Sequence, residues 1–266
     1  MLKKNCMQFD LVSDLHIDVW QEKYRFDWLK DQKSDTLIIA GDVSDYVDMT
    51  CEYITSLENY YDKILIVDGN HEHQPNFPNI EESTENWKKA IRETKAHYLG
   101  DGYYQKDNVR VIGVNGWWSF DFGEPNVPLD KCISAFLDKT SWGKPAVKQM
   151  LRQGIYDAEF LLNQMHDAQE CDEVSKIVVV THPLPHPSCI SWNIYPEDNK
   201  FVGLYGNSRF QWTLDMDRKN KLKYWCFGHN HDKKNIPYGD ARLVSNPRGR
   251  PADWNREEYS PLQLEV

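Results

Sequence analysis

The chain has 266 residues, of which 40% are hydrophobic and 13% aromatic, so it is long enough to bury the core of one large domain. Its formal net charge of -10 argues against a broad basic surface for a polyanionic backbone, because neutralising phosphates takes clustered lysine and arginine. Extended nucleic acid is therefore a disfavoured partner.

Seven short apolar runs predict buried β-strands. They span residues 7–12, 36–40, 64–67, 109–114, 176–180, 222–227 and 242–245. Helix-like stretches lie between the strands, at residues 24–30, 48–60, 86–95 and 145–168. This alternation predicts an α/β fold with a mostly parallel sheet. No internal repeat demands a second domain, so we expect one domain over residues 1–266.

Residues 115–145 are rich in aromatic and turn-forming side chains, and we predict that they form an insertion over the active site. Trp117 and Trp118 open this stretch, while Trp142, Trp192 and Trp212 lie in or beside the long inserts. Two interpretations of these side chains stay open. They are either a packed aromatic cluster under a loop or a stacking wall for a nucleobase.

The apolar runs are only as long as buried strands, far short of the roughly 20 residues that a membrane helix needs. The N-terminal residues contain no secretory apolar region. Six cysteines without C-x-x-C spacing indicate reduced thiols rather than a disulfide framework. We expect a cytoplasmic protein, and the sequence predicts neither a membrane nor a protein partner.

Polar residues follow five of the predicted strands, where open α/β sheets place their ligands. The five segments are Asp14-Leu15-His16, Gly41-Asp42-Val43-Ser44-Asp45, Gly69-Asn70-His71-Glu72, Thr181-His182-Pro183 and Gly228-His229-Asn230-His231. Carboxylate, imidazole and amide ligands without a thiolate suit divalent ions such as Mn, Fe, Zn, Ni or Co. One such segment alone would indicate a helix cap or a satisfied polar residue, but five in order predict metal binding.

In this order the segments resemble the signature of the calcineurin-like metallophosphoesterase superfamily, which reads D-x-H, G-D-x-x-D, G-N-H-[DE], H and G-H-x-H. Asn246-Pro247-Arg248-Gly249 is similar to the endings of small bacterial and phage-type members. The resemblance implies two packed mixed β-sheets flanked by helices, a four-layer sandwich. It also implies two divalent metal ions at one end of that sandwich.

The resemblance further implies a role for each matching residue. The metal ligands would be Asp14, His16 and His231 for one ion, Asn70, His182 and His229 for the other, and Asp42 as the bridge between them. His71 would be the catalytic histidine beside the leaving group, oriented by Asp45. A hydroxide held by both ions would attack phosphorus, while His71 stabilises the departing oxygen.

One departure concerns the arginine that clamps phosphate in the superfamily's protein phosphatases, which carry Asp-Arg-Gly where this chain has Asp45-Tyr46-Val47. Protein phosphatase activity is therefore less expected. Arg209 and Arg248 are candidate phosphate contacts by residue type alone, and His73 and His186 lie close enough to ligands for a substrate or supporting role.

The sequence therefore predicts a phosphomonoesterase or phosphodiesterase that acts on a small soluble phosphate ester, such as a nucleotide. Two alternatives stay open. The chain could be a single-strand nuclease of the same superfamily, which predicts a basic groove beside the site. It could also be a non-catalytic scaffold with the same fold, although such a scaffold has no need of intact His71 and Asp45.

Overall fold

The computed structural model describes residues 6–123, 127–191, 201–253 and 259–266, and these form two β-sheets covered by helices. The first sheet contains β1 (Gln8–Val12), β2 (Thr36–Ala40), β3 (Lys63–Val67), β4 (His97–Tyr98) and β11 (Leu262–Glu265). Its order is β11-β1-β2-β3-β4. Strands β1 to β4 run parallel, and β11 pairs antiparallel with β1 at one edge.

The second sheet contains β5 (Tyr103–Lys106), β6 (Val109–Gly113), β7 (Lys176–Val180), β8 (Leu222–Phe227), β9 (Lys234–Tyr238) and β10 (Ala241–Ser245). Its order is β5-β6-β7-β8-β10-β9. The four central strands are parallel, and the edge strands β5 and β9 pair antiparallel. Both sheets are therefore mixed.

The helices are α1 (Val47–Leu57), α2 (Ile80–Ile91), α3 (Leu129–Lys139), α4 (Gly143–Glu170) and α5 (Phe210–Asp215). Not one helix in the described part of the chain is both long enough and apolar enough to cross a bilayer.

Alternate side chains of the strands face different cores, as the two-residue period of a strand requires. Between the sheets, one cluster combines residues such as Leu11, Leu65, Val178 and Val244. The other face of the first sheet packs against a cluster that includes Trp87 of α2. The outer face of the second sheet packs against α4 and α5 in a third cluster. The layers are therefore helix, sheet, sheet and helix, which confirms the predicted two-sheet fold.

All seven predicted strands are present, but the predicted helix at residues 24–30 is wrong. Two 3₁₀ turns, Glu22–Tyr24 and Asp27–Asp31, replace it. The break lies at Phe26, whose φ of -114° and ψ of 8° end the helical path. The carbonyl of Arg25 accepts from the Tyr53 hydroxyl at 2.6 Å instead of continuing a helix.

The helix boundaries also differ from those predicted from the sequence. The second helix spans Ile80–Ile91 rather than residues 86–95, because Ile80 and Trp87 are both buried on its inner face. Helices α3 and α5 and the edge strands β4, β5, β9 and β11 were not predicted.

Candidate metal centre

Five loops meet at the carboxyl ends of β1, β2, β3, β7 and β8, and their backbones share an unusual conformation. Residues with positive φ are rare outside glycine. Five predicted metal ligands nevertheless adopt a positive φ, with values of 50° at Asp14, 44° at His16, 57° at Asp42, 77° at His229 and 51° at His231. Such backbone strain persists where the surrounding structure enforces it, and it clusters at functional sites.

Asp42 lies at the centre of the predicted ligands and is buried. Its Oδ2 atom is 3.1 Å from His182 Nε2, 3.9 Å from His16 Nε2 and 3.9 Å from His71 Nε2. Its Oδ1 atom accepts the backbone N–H of His71 at 2.9 Å. The Asp42 carboxylate therefore contacts loops from both sheets, which is where a bridging ligand belongs.

On one side of Asp42, four predicted ligands form a compact group with ligand atoms within 4.8 Å of one another, namely Asp14, His16, Asp42 and His231. The Nε2 atoms of His16 and His231 are 2.9 Å apart, and His231 Nε2 is 3.5 Å from Asp14 Oδ1. This spacing leaves room for one ion among the four groups.

On the other side, His229 Nδ1 lies 3.0 Å from Asn70 Oδ1, and the rings of His182 and His229 are 5.2 Å apart. The structure therefore brings all seven predicted ligands to one place, as two groups that share Asp42. Their assignment to particular ions stays a prediction.

The hydrogen bonds of three histidines test whether this site fits metal ions. His182 Nδ1 is 2.9 Å from the Ala40 carbonyl, His229 Nε2 is 3.0 Å from the Leu204 carbonyl, and His231 Nδ1 is 2.6 Å from Asp253 Oδ2. In a neutral imidazole, the ring nitrogen beside an oxygen acceptor carries the proton, so the opposite nitrogen presents a lone pair.

These lone pairs point at other acceptors rather than at donors. His182 Nε2 faces Asp42 Oδ2, His229 Nδ1 faces Asn70 Oδ1, and His231 Nε2 faces Asp14 Oδ1. Among the described residues, Asp14 Oδ2 is buried without any hydrogen-bond partner. Acceptors that face acceptors in a buried site are stabilised by a cation between them, so the residues fit the predicted metals.

The protonation states of the predicted ligands also indicate bound metal ions. Burial lowers the pKa of His16 to about 2 and that of His229 to about 3, so both rings are neutral ligands at physiological pH. Burial also opposes the ionised form of Asp42, but His182 and His71 outweigh it and hold the carboxyl pKa well below its usual range. An ionised, buried carboxylate beside the neutral rings of His16 and His229 favours bound cations. Burial opposes a charge on His182, but Asp42 outweighs it and raises the pKa of His182 to about 10, so a metal ion that binds there replaces a proton on this ring.

His71 lies at the rim of this group, with its Nδ1 atom 2.5 Å from Asp45 Oδ1. Burial lowers the pKa of His71, but the carboxylates of Asp42 and Asp45 outweigh it and raise the pKa above the ordinary value. The His71 ring is therefore held by one carboxylate and favours its protonated form, as the predicted leaving-group residue requires.

Glu72 supports the loops, a role that the sequence motif did not reveal. Its buried carboxylate accepts backbone N–H groups of Gly69 at 2.7 Å, Val43 at 2.6 Å and Asp42 at 3.2 Å. A side chain at Gly69 would collide with the Asp42 carboxylate, so only glycine fits there. Glu72 therefore ties the loop after β2 to the loop after β3.

Several other sequence predictions concerned residues around the site. Arg248 is buried and its guanidinium donates to Asp27 Oδ1 at 2.9 Å, so it is not a phosphate contact. His73 is buried and bound to Asp68 at 2.6 Å, which makes it a supporting residue behind the loop after β3. His186 is half-buried, and its ring packs against Tyr238. Arg209 precedes α5 and is half-buried.

The aromatic stretch is mostly packed rather than open. Trp117 and Trp118 are buried in a cluster with α3 and α4, and Trp142 packs against Phe77 with ring centroids 4.1 Å apart. Trp118 alone of these contacts a predicted ligand, with its ring 5.5 Å from that of His229. Trp212 is exposed, and Trp192 lies outside the described residues. Packing therefore explains Trp117 and Trp142.

Comparison with known proteins agrees with this fold. The sequence profile of the calcineurin-like phosphoesterase family matches residues 7–233. The chain belongs to this family and is a metal-dependent hydrolase of phosphate esters.

An uncharacterised protein of Acanthamoeba polyphaga mimivirus, L509, is 22% identical over 268 residues, covering 94% of this chain and 93% of that protein. Among solved structures, the phosphopantetheinyl hydrolase of Mycobacterium tuberculosis has a TM-score of 0.73 at 14% identity and covers 97% of this chain and 95% of its own. GAP50, the anchor in the inner membrane complex of Plasmodium, has a TM-score of 0.53 at 12% identity, covering 98% of this chain and 81% of its own. Both structural likenesses establish the fold.

Proposed function

We propose that this chain uses two divalent metal ions to hydrolyse a phosphomonoester or phosphodiester of a small soluble molecule, such as a nucleotide. The observation that carries the proposal is the set of buried acceptors facing acceptors around Asp42. The proposal treats the chain as one catalytic domain with residues 115–145 as an insertion over the site. The six cysteines are free thiols, which a reducing compartment favours. A cytoplasmic location stays a prediction.

Asp14, His16 and His231 would hold one ion, Asn70, His182 and His229 the other, and Asp42 would contact both. Two divalent ions bound there supply Lewis acidity, which activates water and neutralises the charge that develops on a phosphoryl group. Mn, Fe, Zn, Ni and Co all accept this mixture of carboxylate, imidazole and amide ligands.

The chain's own residues then act on the substrate's leaving group. Asp45 accepts the Nδ1 proton of His71 and fixes the ring, which leaves Nε2 directed towards the Asp42 side of the site. With its raised pKa, His71 holds a proton that it donates from Nε2 to the departing oxygen.

Two other functions compete with this proposal. A single-strand nuclease needs a basic surface beside the site, and the net charge of -10 disfavours it. A scaffold with the same fold has some precedent, since GAP50 is described as an anchor. The proximity of His71 to Asp45 favours a catalyst, because a scaffold gains nothing from an oriented imidazole.

A substrate panel distinguishes the three functions. Metal-loaded protein, with Mn or Ni, is assayed on p-nitrophenyl phosphate, bis-p-nitrophenyl phosphate, 2′,3′- and 3′,5′-cyclic nucleotides and short single strands. The proposal predicts turnover of small esters, which is lost in His71→Ala and kept in the matched control His166→Ala, whose ring is exposed on α4. Preference for single strands supports the nuclease, and no turnover with both metal positions filled supports the scaffold.

A further inference from the structure

The segment that follows β10 folds back along the metal-binding loop after β1. Ser13 N–H donates to the Asn246 carbonyl at 3.1 Å, and Arg248 N–H returns a bond to the Ser13 carbonyl at 2.9 Å. Gly249, with φ of 73°, donates its N–H to the Asp14 carbonyl at 2.8 Å. Residues 246–250 are therefore fixed against the backbone of a predicted metal ligand.

Arg248 anchors this segment on its buried side. Its buried guanidinium donates to Asp27 and lies 4.2 Å above the Trp20 ring, while Trp20 Nε1 donates to the Gly249 carbonyl at 3.0 Å. These contacts combine an ion pair, a cation–π interaction and a hydrogen bond. The residue that follows Gly249 is therefore presented at the site by a rigid turn.

That residue is Arg250, and its guanidinium points at the predicted catalytic histidine. Arg250 Nη2 lies 3.0 Å from His71 Nε2. The residue is exposed, and its guanidinium donates to this ring nitrogen, while none of the ion pairs among the described residues involves Arg250. A guanidinium left without a counter-ion beside a solvent-accessible site is a ready partner for an anion, since it binds phosphate oxygens in a planar fork.

We infer that Arg250 is the phosphate-binding arginine of this enzyme, contacting a phosphoryl oxygen of the substrate and favouring a dianionic phosphate monoester. This inference rests on the proposed function. Tyr46 stands where the superfamily's protein phosphatases carry their clamping arginine, so this chain has no arginine at that position of the sequence. Here the arginine comes from the other end of the chain.

The geometry explains why an anion belongs beside these two side chains. Arg250 Nη2 donates to His71 Nε2 across 3.0 Å, and Asp45 holds the other ring nitrogen, so the guanidinium borders the position beside His71 where the leaving group belongs. A phosphoryl oxygen at that position replaces the His71 ring as the acceptor for Arg250. A terminal phosphate carries more negative charge than a diester near neutral pH, so it gains more from the arginine.

The test compares metal-loaded wild-type protein with Arg250→Ala, Arg250→Lys and the matched control Arg242→Ala, whose side chain is exposed on β10 and pairs with Asn235. Three quantities are measured: kcat/KM on p-nitrophenyl and bis-p-nitrophenyl phosphate, the inhibition constant of inorganic phosphate, and phosphate binding by calorimetry. Metal content and the thermal midpoint of each variant are recorded alongside.

Arg250→Ala is expected to lower kcat/KM on the monoester about 10- to 100-fold, with a smaller loss on the diester. Phosphate binding should weaken about tenfold or more, while metal content stays constant. Arg250→Lys should be intermediate, and added guanidinium ion should restore part of the activity of Arg250→Ala only. Wild-type phosphate affinity and activity in Arg250→Ala would overturn the inference.

Failure of the proposed function is distinguishable from failure of this inference. If wild-type protein turns over no ester but binds phosphate, weaker binding in Arg250→Ala still supports the arginine's role. If wild-type protein with both metal positions filled binds no phosphate, the inference is overturned together with the substrate assignment.

Discussion

Asp253 Oδ2 accepts a hydrogen bond from His231 Nδ1 at 2.6 Å, which fixes the ring so that Nε2 faces Asp14 and His16. A carboxylate behind a metal-binding imidazole orients the ring and increases its basicity. The same Asp253 oxygen accepts the backbone N–H of Arg250 at 2.7 Å. One carboxylate thus positions a metal ligand and the turn that carries the inferred phosphate contact.

Asp253→Ala should weaken binding of the ion at Asp14, His16 and His231 by about 10- to 100-fold, because His231 loses its orienting partner. Competition with a fluorescent chelator measures this affinity. Asp240→Ala, in the exposed turn between β9 and β10, is the matched control. Equal Mn affinity in the two variants would show that Asp253 does not support the metal site.

Glu72→Ala should destabilise the protein by about 2 to 4 kcal/mol, because it leaves several buried backbone N–H groups without an acceptor. Glu72→Gln keeps one acceptor oxygen and should lose less. Urea unfolding of both variants measures the difference. A loss below about 0.5 kcal/mol in Glu72→Ala, the size expected of an ordinary surface substitution, would contradict this role.

His71→Ala should lower kcat by about 10²- to 10⁴-fold while the metal content stays that of the wild type. Asp45→Asn should give a smaller loss, because the ring keeps its place but its proton is less well held. Metal analysis of the purified variants accompanies the kinetics. If the metal content of His71→Ala collapses, His71 is a ligand and not the catalytic histidine.

The stability of the protein should depend on pH through Asp157. Its buried carboxyl accepts the N–H groups of Gly116 and Trp117, at 2.9 and 3.1 Å, yet burial raises its pKa to about 6. A raised carboxyl pKa contributes stability below about pH 4 that is lost as pH rises through about 6.

Asp157→Asn removes this titration. The free energy of unfolding of wild-type protein should therefore fall relative to that of Asp157→Asn between about pH 3 and 7, by up to about 3 kcal/mol. Urea unfolding at several pH values measures the difference between the two proteins. Parallel pH profiles would show that Asp157 titrates at its ordinary pKa in the folded state.

Part of the fold could be predicted from sequence because most strands are buried on both faces. Strands such as β2 and β7 are almost wholly apolar runs, and a short run of this kind is typical of a buried strand. Strand β9 is an edge strand with Lys234 and Pro237, and β4 has two residues, so neither leaves an apolar pattern. The helix predicted at residues 24–30 failed because tertiary partners capture the Arg25 carbonyl.

The candidate site could likewise be predicted from sequence only in part. Its predicted ligands follow predicted strands in a fixed order, so their convergence could be expected. Asp253 and Arg250 could not be assigned, because their partners His231 and His71 lie far away in sequence. Arg248 and Arg250 are two residues apart and identical in type. Only the structure separates the buried anchor from the exposed arginine at the site.

In the proposed mechanism, two ions share Asp42 and hydrolysis depends on both. Calorimetric titration of chelator-treated protein with Mn²⁺, with p-nitrophenyl phosphate hydrolysis assayed at each ratio, tests it most directly. We expect two bound ions per chain, activity that rises with the second, and loss of both features in Asp42→Ala. A single bound ion with full activity, or hydrolysis that survives complete chelation, would contradict this claim.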